Sequence, residues 1–177
     1  MAVLNRFNTV IDVLEKYVIS IGLGGATLLL FANVVMRYVF HSGLPWVLEA
    51  VQYLFAWVVL VGAAHGVKVG IHLGIDILVE KLPRRARRAV VLLAVALSLT
   101  FVGSLFWLSL QYIQRIYQWG DLTLDLQIPQ WIPYLAIPVG LGLMLYHMLA
   151  VAWMIWQGKL ERIHSSEASQ ALEELQR

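Results

Sequence analysis

"WVLEAVQYLFAWVVLVGAAHGVKV", residues 46–69, decides what kind of protein this is. Its formal charges, Glu49 and Lys68, stand near its two ends, and what lies between is bulky and apolar, aromatic or small. A helix rises 1.5 Å per residue, so about 20 apolar residues cross a hydrocarbon layer of about 30 Å. The segment therefore belongs in lipid. The same test finds three more such stretches, at 10–36, 89–110 and 132–156. The first is too long for the apolar region of a signal peptide and lacks a small-residue cleavage site, so it reads as a retained span. Composition agrees: 60% of the 177 residues are hydrophobic and 14% are charged, against roughly 45–50% and about 25% in soluble chains. The expected fold is an all-α integral membrane protein, with four transmembrane helices in residues 1–160 and a polar tail over 161–177.

Charge in the loops sets the orientation, because Lys and Arg beside the ends of spans stay on the cytoplasmic side. Lys68, Lys81, Arg84, Arg85, Arg87 and Arg88 lie between the second and third spans, so that loop is expected inside. The other two loops, with Arg37 and His41 in one and Arg115, Asp121 and Asp125 in the other, then face outward. Both termini are expected to be cytoplasmic. Tyr38, Trp46, Trp107, Tyr112, Tyr117, Trp119, Trp131 and Tyr134 cluster at the outer ends, where amphipathic rings meet headgroups and water together.

Within the basic loop, Ile71, Ile75, Leu78 and Leu82 recur at helical spacing among polar residues, which predicts a short amphipathic helix lying in the membrane plane. Pro83 would end it or open the next helix. The arginines that follow suit orientation and anionic lipid; nucleic acid is not an expected partner.

Arg37 and Glu49 stand near the same outer surface, on two spans joined by a short loop. Two readings are open. They clamp the first two helices together, or Arg37 snorkels to phosphates while Glu49 favours the positive N-terminal end of the second helix. Gly62 and Gly66 in "GAAHG" match the small-xxx-small pattern that lets membrane helices approach closely, and Gly70 and Gly74 continue the interval. Gly22, Gly24, Gly25, Gly140 and Gly142 invite the same reading. Pro129, Pro133 and Pro138 suit a constrained loop, a helix start and a tolerated kink.

His65 and His147 raise a competing reading, a haem- or quinone-binding membrane anchor of a respiratory complex, since histidines on two spans can ligate haem. Counting from Lys68 and Lys159 puts them at depths differing by roughly 13 Å, which argues against one shared iron. No cofactor is expected. No spacing matches a zinc site, a nucleophile elbow or a phosphate-cradling loop, so no catalysis is expected either. With charges at the rims and no evident internal repeat, the chain reads as an accessory subunit and not as a carrier holding its own substrate site.

"NVVMRYVF" closing the first span, "PWVLEAVQYLFAWVVLVGAAHGVKVGIHLGIDILVEKLP" after it, and "IPQWIPYLAIPVG" opening the fourth resemble the small permease (Q) subunit of tripartite ATP-independent periplasmic (TRAP) transporters. The family often carries paired glutamates after the tryptophan; here Ala50 follows Glu49. The resemblance implies a complex in a bacterial inner membrane, in which a periplasmic binding protein delivers an organic acid to a large permease (M) subunit. That large subunit would hold the substrate and sodium sites, and the small subunit would brace it among membrane lipids. The wording of the second and fourth spans looks most like members associated with C4-dicarboxylates. Arg37, Trp46, Glu49, Gly62 and Gly66 are the implied structural and partner-facing positions; Tyr117, Trp119, Asp121 and Asp125 either lie near the docked binding protein or belong to an ordinary wet loop.

Overall fold

The computed structural model describes residues 2–69 and 84–156. Four of its helices are long and apolar enough to span a bilayer, and they follow the hydropathy of the chain. Helix α1 covers Ala2–Val39, α2 Pro45–Val69 and α3 Arg84–Trp119; a short α4, Trp131–Tyr134, leads into α5, Ala136–Trp156. The amphipathic segment between α2 and α3, Gly70 and Gly74 within it, and the polar tail lie outside the described residues.

The helices stand in a row and do not close a square bundle: α1 packs on α2, α2 on α5 and α5 on α3. Burial follows that order, with 11% of the apolar window buried in α1 and in α3, against 22% in α2 and 33% in α5. The inner pair is covered on two sides and the outer pair on one. Ile21, Leu28 and Phe31 of α1 and Leu93, Leu97 and Phe101 of α3 are all exposed. Such faces cost little in lipid, whose tails are as apolar as leucine, so the row must be held by close packing and polar contacts.

Close packing is visible at three glycines. A Cβ added at Gly22 would lie 2.5 Å from Val58 Cγ2, and one at Gly142 would lie 3.3 Å from Phe106 Cε2. At Gly140 it would meet Leu60 of α2 at 2.6 Å from Cβ and 3.1 Å from the carbonyl carbon. The expected packing positions Gly62 and Gly66 behave differently. A Cβ at Gly62 would find ordinary contact with Ile19 Cδ1 at 3.9 Å. Both glycines line an apolar groove of about 510 Å³, whose wall includes Ala63, Phe101 and Met144. Their small size leaves open space beside α2, whereas the tight seams run through Gly22 and Gly140.

One boundary differs from the sequence reading. The third helix does not stop at residue 110: it runs to Trp119, so Tyr112, Arg115, Tyr117 and Trp119 are helical. Gly120, with φ +72°, ends it in the left-handed region, and its N–H bonds the Ile116 carbonyl at 3.2 Å. Hydropathy falls at 110, but helical geometry persists because Ile116 still has a buried place, at 2% exposure. α4 and α5 follow one another within a single apolar span, Trp131–Trp153: Leu135 keeps helical φ and ψ of −57° and −20°, and its N–H bonds the Trp131 carbonyl at 3.1 Å. Pro138 has no N–H to offer the Tyr134 carbonyl, so one rung of the ladder is missing there.

Candidate functional site

Two polar constellations join the helices, one near each end of the row. Glu15 on α1 is 22 residues from Arg37, and His65 on α2 is 19 from Trp46, so at 1.5 Å per residue the two ends are about 30 Å apart.

At the end nearer the start of α1, Glu15 is 2% exposed and carries two histidines from different helices. Its Oε2 lies 2.9 Å from Nδ1 of His65 on α2, and its Oε1 lies 2.7 Å from Nε2 of His147 on α5. One carboxylate therefore ties three helices. A charge taken out of water is tolerated only when paired and hydrogen-bonded, and both Glu15 oxygens are engaged. His147 is 4% exposed and meets Tyr146 edge-on, with ring centroids 5.4 Å apart. The Tyr146 hydroxyl donates to Asn8 Oδ1 at 2.5 Å, which ties α5 to α1 a second time.

This corrects the depth argument. His65 and His147 lie at one level, since both rings reach the same Glu15 carboxylate. The carboxylate between the two rings occupies the space where a shared iron would sit, and this disfavours bis-histidine haem ligation at this place. Asp12, Glu15 and His65 offer ligand atoms within 4.8 Å of one another, but hydrogen bonds from His65 and His147 already engage both Glu15 oxygens. Sequence reasoning passed over Glu15. The signal was present: Asp12, Glu15 and Lys16 interrupt the first apolar stretch, and the carboxylates lie on the turns before its long uncharged run.

At the opposite end Asn33 Oδ1 accepts the Leu44 N–H at 2.8 Å, fixing the short connection into α2. Pro45 opens that helix, where a missing N–H costs nothing. Glu49 then points across to the connection between α3 and α4. Its Oε1 accepts from Leu124 N at 3.1 Å, and its Oε2 accepts from Asp125 N and Leu126 N, both at 2.8 Å. Tyr53, one turn along α2, donates its hydroxyl to Oε1 at 2.9 Å. Among the described residues Arg37 and Glu49 form no ion pair. Arg37 is exposed at the end of α1, while the Glu49 oxygens are occupied by main-chain donors. Glu49 thus ties α2 to the connection between α3 and α4, a partner named by neither of the two open readings. Neither the sequence nor its spacing shows main-chain donors arriving 75 residues downstream.

The connection itself is a miniature hairpin. Leu122 and Pro129 form an antiparallel bridge, Thr123 N donates to Ile128 O at 2.9 Å and Gln130 N to Asp121 O at 3.0 Å. The Thr123 hydroxyl returns a contact by accepting Ile128 N at 3.2 Å. Tyr53 and Tyr112 both lie against Tyr134, with centroids 6.4 and 5.9 Å away, so aromatic rings pin α2, α3 and α4 beneath the hairpin. Tyr117 meets Trp131 edge-on at 5.8 Å. Trp119, Asp121 and Asp125 are exposed, and Trp46 is 38% exposed at the start of α2. A polar recess of about 630 Å³ separates α2 from the hairpin, walled by Glu49, Gln52, Tyr53, Asp121 and Asp125.

Residues 26–158 match the family described as tripartite ATP-independent periplasmic transporters, DctQ component. The C4-dicarboxylate TRAP transporter small permease protein DctQ of Vibrio cholerae is 37% identical, over 97% of this chain and 84% of its own length. Its namesake from Rhodobacter capsulatus is 38% identical over 62% of this chain and 48% of its own length. The isethionate TRAP transporter permease protein DctMQ of Oleidesulfovibrio alaskensis is 26% identical over 76% of this chain, which corresponds to 22% of that longer protein. A row of four apolar helices, tied by polar contacts at its two ends and matched over most of its length, thus belongs to the DctQ family: the chain is a small permease subunit of a TRAP transporter.

Proposed function

We propose that this subunit is a non-catalytic brace for a large permease subunit, in a sodium-coupled complex that imports a C4-dicarboxylate delivered by a periplasmic binding protein. The observation that carries the reading is the open row. α1 and α3 each leave a long apolar face uncovered, while the buried charge at Glu15 is taken up in fixing helices to one another. Such a chain is built to be held against something. It offers among its described residues no line of polar groups through the apolar middle along which a solute could pass.

The groove beside Gly62 and Gly66 suits a helix of the large subunit, whose backbone can come close where side chains are absent. Arg37 and Trp46, exposed at the outer rim, suit lipid headgroups or that same partner. The DctMQ name joins both letters in one longer protein that this chain matches over 22% of its length, which supports a direct pairing with the large subunit. The C4-dicarboxylate assignment rests on the names of the Vibrio and Rhodobacter relatives. Residues 1–160 act as one membrane unit in a bacterial inner membrane. Both termini and the basic loop face the cytoplasm, so the hairpin faces the periplasm; the excess of Lys and Arg supports this orientation.

Deletion of the subunit tests the reading. Uptake of labelled succinate driven by a sodium gradient should fall to background although the large subunit is still inserted. Undiminished uptake would reject a bracing role.

A further inference from the structure

We propose that Glu49 is a positioning residue: from within α2 it holds the turn Leu124–Leu126 so that Leu124 stands as a fixed apolar knob on the outer surface, where the soluble binding protein docks. The inference rests on the function and orientation proposed above and adds which residues make the contact and what keeps them in place.

A turn whose successive N–H groups converge forms a concave site for an anion. Here three consecutive N–H groups converge, and the anion is the chain's own Glu49 carboxylate. Hydrogen bonds to a charged acceptor are roughly twice as strong as neutral ones. The bridge at Leu122 and Pro129 closes the base of the hairpin. Gln127, at φ +53°, turns its amide back to donate to the Leu124 carbonyl at 2.6 Å and the Thr123 carbonyl at 3.2 Å. Tip, base and side are thus all tied.

What this fastening presents is unusual for a wet loop. Leu124 is 88% exposed, the barest of the large hydrophobic side chains among the described residues. Ordering a loop costs conformational entropy, and ordering it around a bare leucine recovers no burial within the chain. The gain comes on association, because a contact that is already rigid loses less freedom on binding. Exposed Asp121 and Asp125 flank the knob, and exposed Tyr117 and Trp119 lie on the last turns of the helix leading into it. The matching surface is an apolar recess with a cationic rim on a soluble protein. Anionic headgroups are a poor match for two flanking carboxylates.

The test uses the small and large subunits together in proteoliposomes, with uptake measured against added binding protein. Leu124→Asp changes a solvent-facing side chain, and Glu49→Gln keeps the size of the clamp but removes its charge and one acceptor oxygen. Each should raise the binding-protein concentration for half-maximal uptake by at least about fivefold, as expected for an interface anchor, with the rate at saturation preserved. The double variant should be no worse than Leu124→Asp alone, since both act on one contact. Amide exchange at residues 124–126 should accelerate in Glu49→Gln and stay unchanged in Leu124→Asp. Unaltered half-saturation in Leu124→Asp overturns the docking role, and unaltered exchange in Glu49→Gln overturns the positioning role. Quenching of a fluorophore on Leu124→Cys by brominated lipid, in the absence of binding protein, would show a membrane anchor and overturn the proposal too. Uptake that persists without the subunit at all would instead reject the bracing function beneath it.

Discussion

Replacing Gly140 by alanine is the sharpest test of how the row is held. The new Cβ would lie 2.6 Å from Leu60 Cβ, 3.1 Å from its carbonyl carbon and 3.2 Å from its oxygen. Carbon atoms rest at about 3.5–4.0 Å, so α5 and α2 must part by about 1 Å along this seam. The obstructing atoms are main chain and Cβ, which have no rotamer to escape into. Overpacking of this kind costs about 1–3 kcal/mol, a fall of roughly five- to 150-fold in the folded-to-unfolded ratio. Alanine also favours helix over glycine by about 1 kcal/mol, so Gly103→Ala, whose Cβ would meet nothing within 4 Å, supplies the baseline. Reversible unfolding in mixed micelles, followed by far-UV circular dichroism, should place Gly140→Ala below Gly103→Ala by about 1–3 kcal/mol. Equal stability of the two variants would refute the claim that backbone approach at Gly140 sets the α2–α5 distance.

Other consequences are equally open to measurement. Glu15→Ala leaves the His147 ring N–H buried without an acceptor and should cost about 1–3 kcal/mol in the same unfolding assay, while His65, 24% exposed, can turn to water; Glu15→Gln, which retains one acceptor oxygen, should cost less. Arg37→Ala should change the stability of the isolated subunit by no more than about 0.5 kcal/mol and leave amide exchange at residues 124–126 untouched. Glu49→Ala should accelerate that exchange, and the reverse pattern would favour a direct Arg37–Glu49 clamp. Gly120→Val forces a β-branched residue into φ +72° and should loosen the end of α3, read as faster exchange at Ile116 and its neighbours.

The class of fold was legible because it depends on a one-dimensional quantity. Four stretches too apolar for water must cross lipid, whatever their neighbours are, and the boundary missed at Trp119 falls where hydropathy and helical geometry part company. The rung lost at Pro138 was legible for a similar reason: a missing N–H acts locally. The polar contacts were not, because each joins residues remote in sequence. His65 and Glu15 are 50 residues apart and His147 and Glu15 are 132 apart, and only the antiparallel row brings them to one level. Spacing cannot distinguish Gly140, pressed on the Leu60 backbone, from Gly62, which borders a groove. The glycine pattern marks small surfaces without saying what occupies them. Glu49 stands out in the sequence as a charge at the rim of a span, but its partners are main-chain N–H groups, which carry no residue-type signature.

The most direct test of the central claim is sodium-driven uptake of radiolabelled succinate into proteoliposomes that hold this subunit alone, the large permease alone, or both, each with the binding protein supplied outside. The bracing account predicts accumulation only when both membrane subunits are present. Accumulation by this subunit alone, or full activity of the large permease without it, would contradict the account.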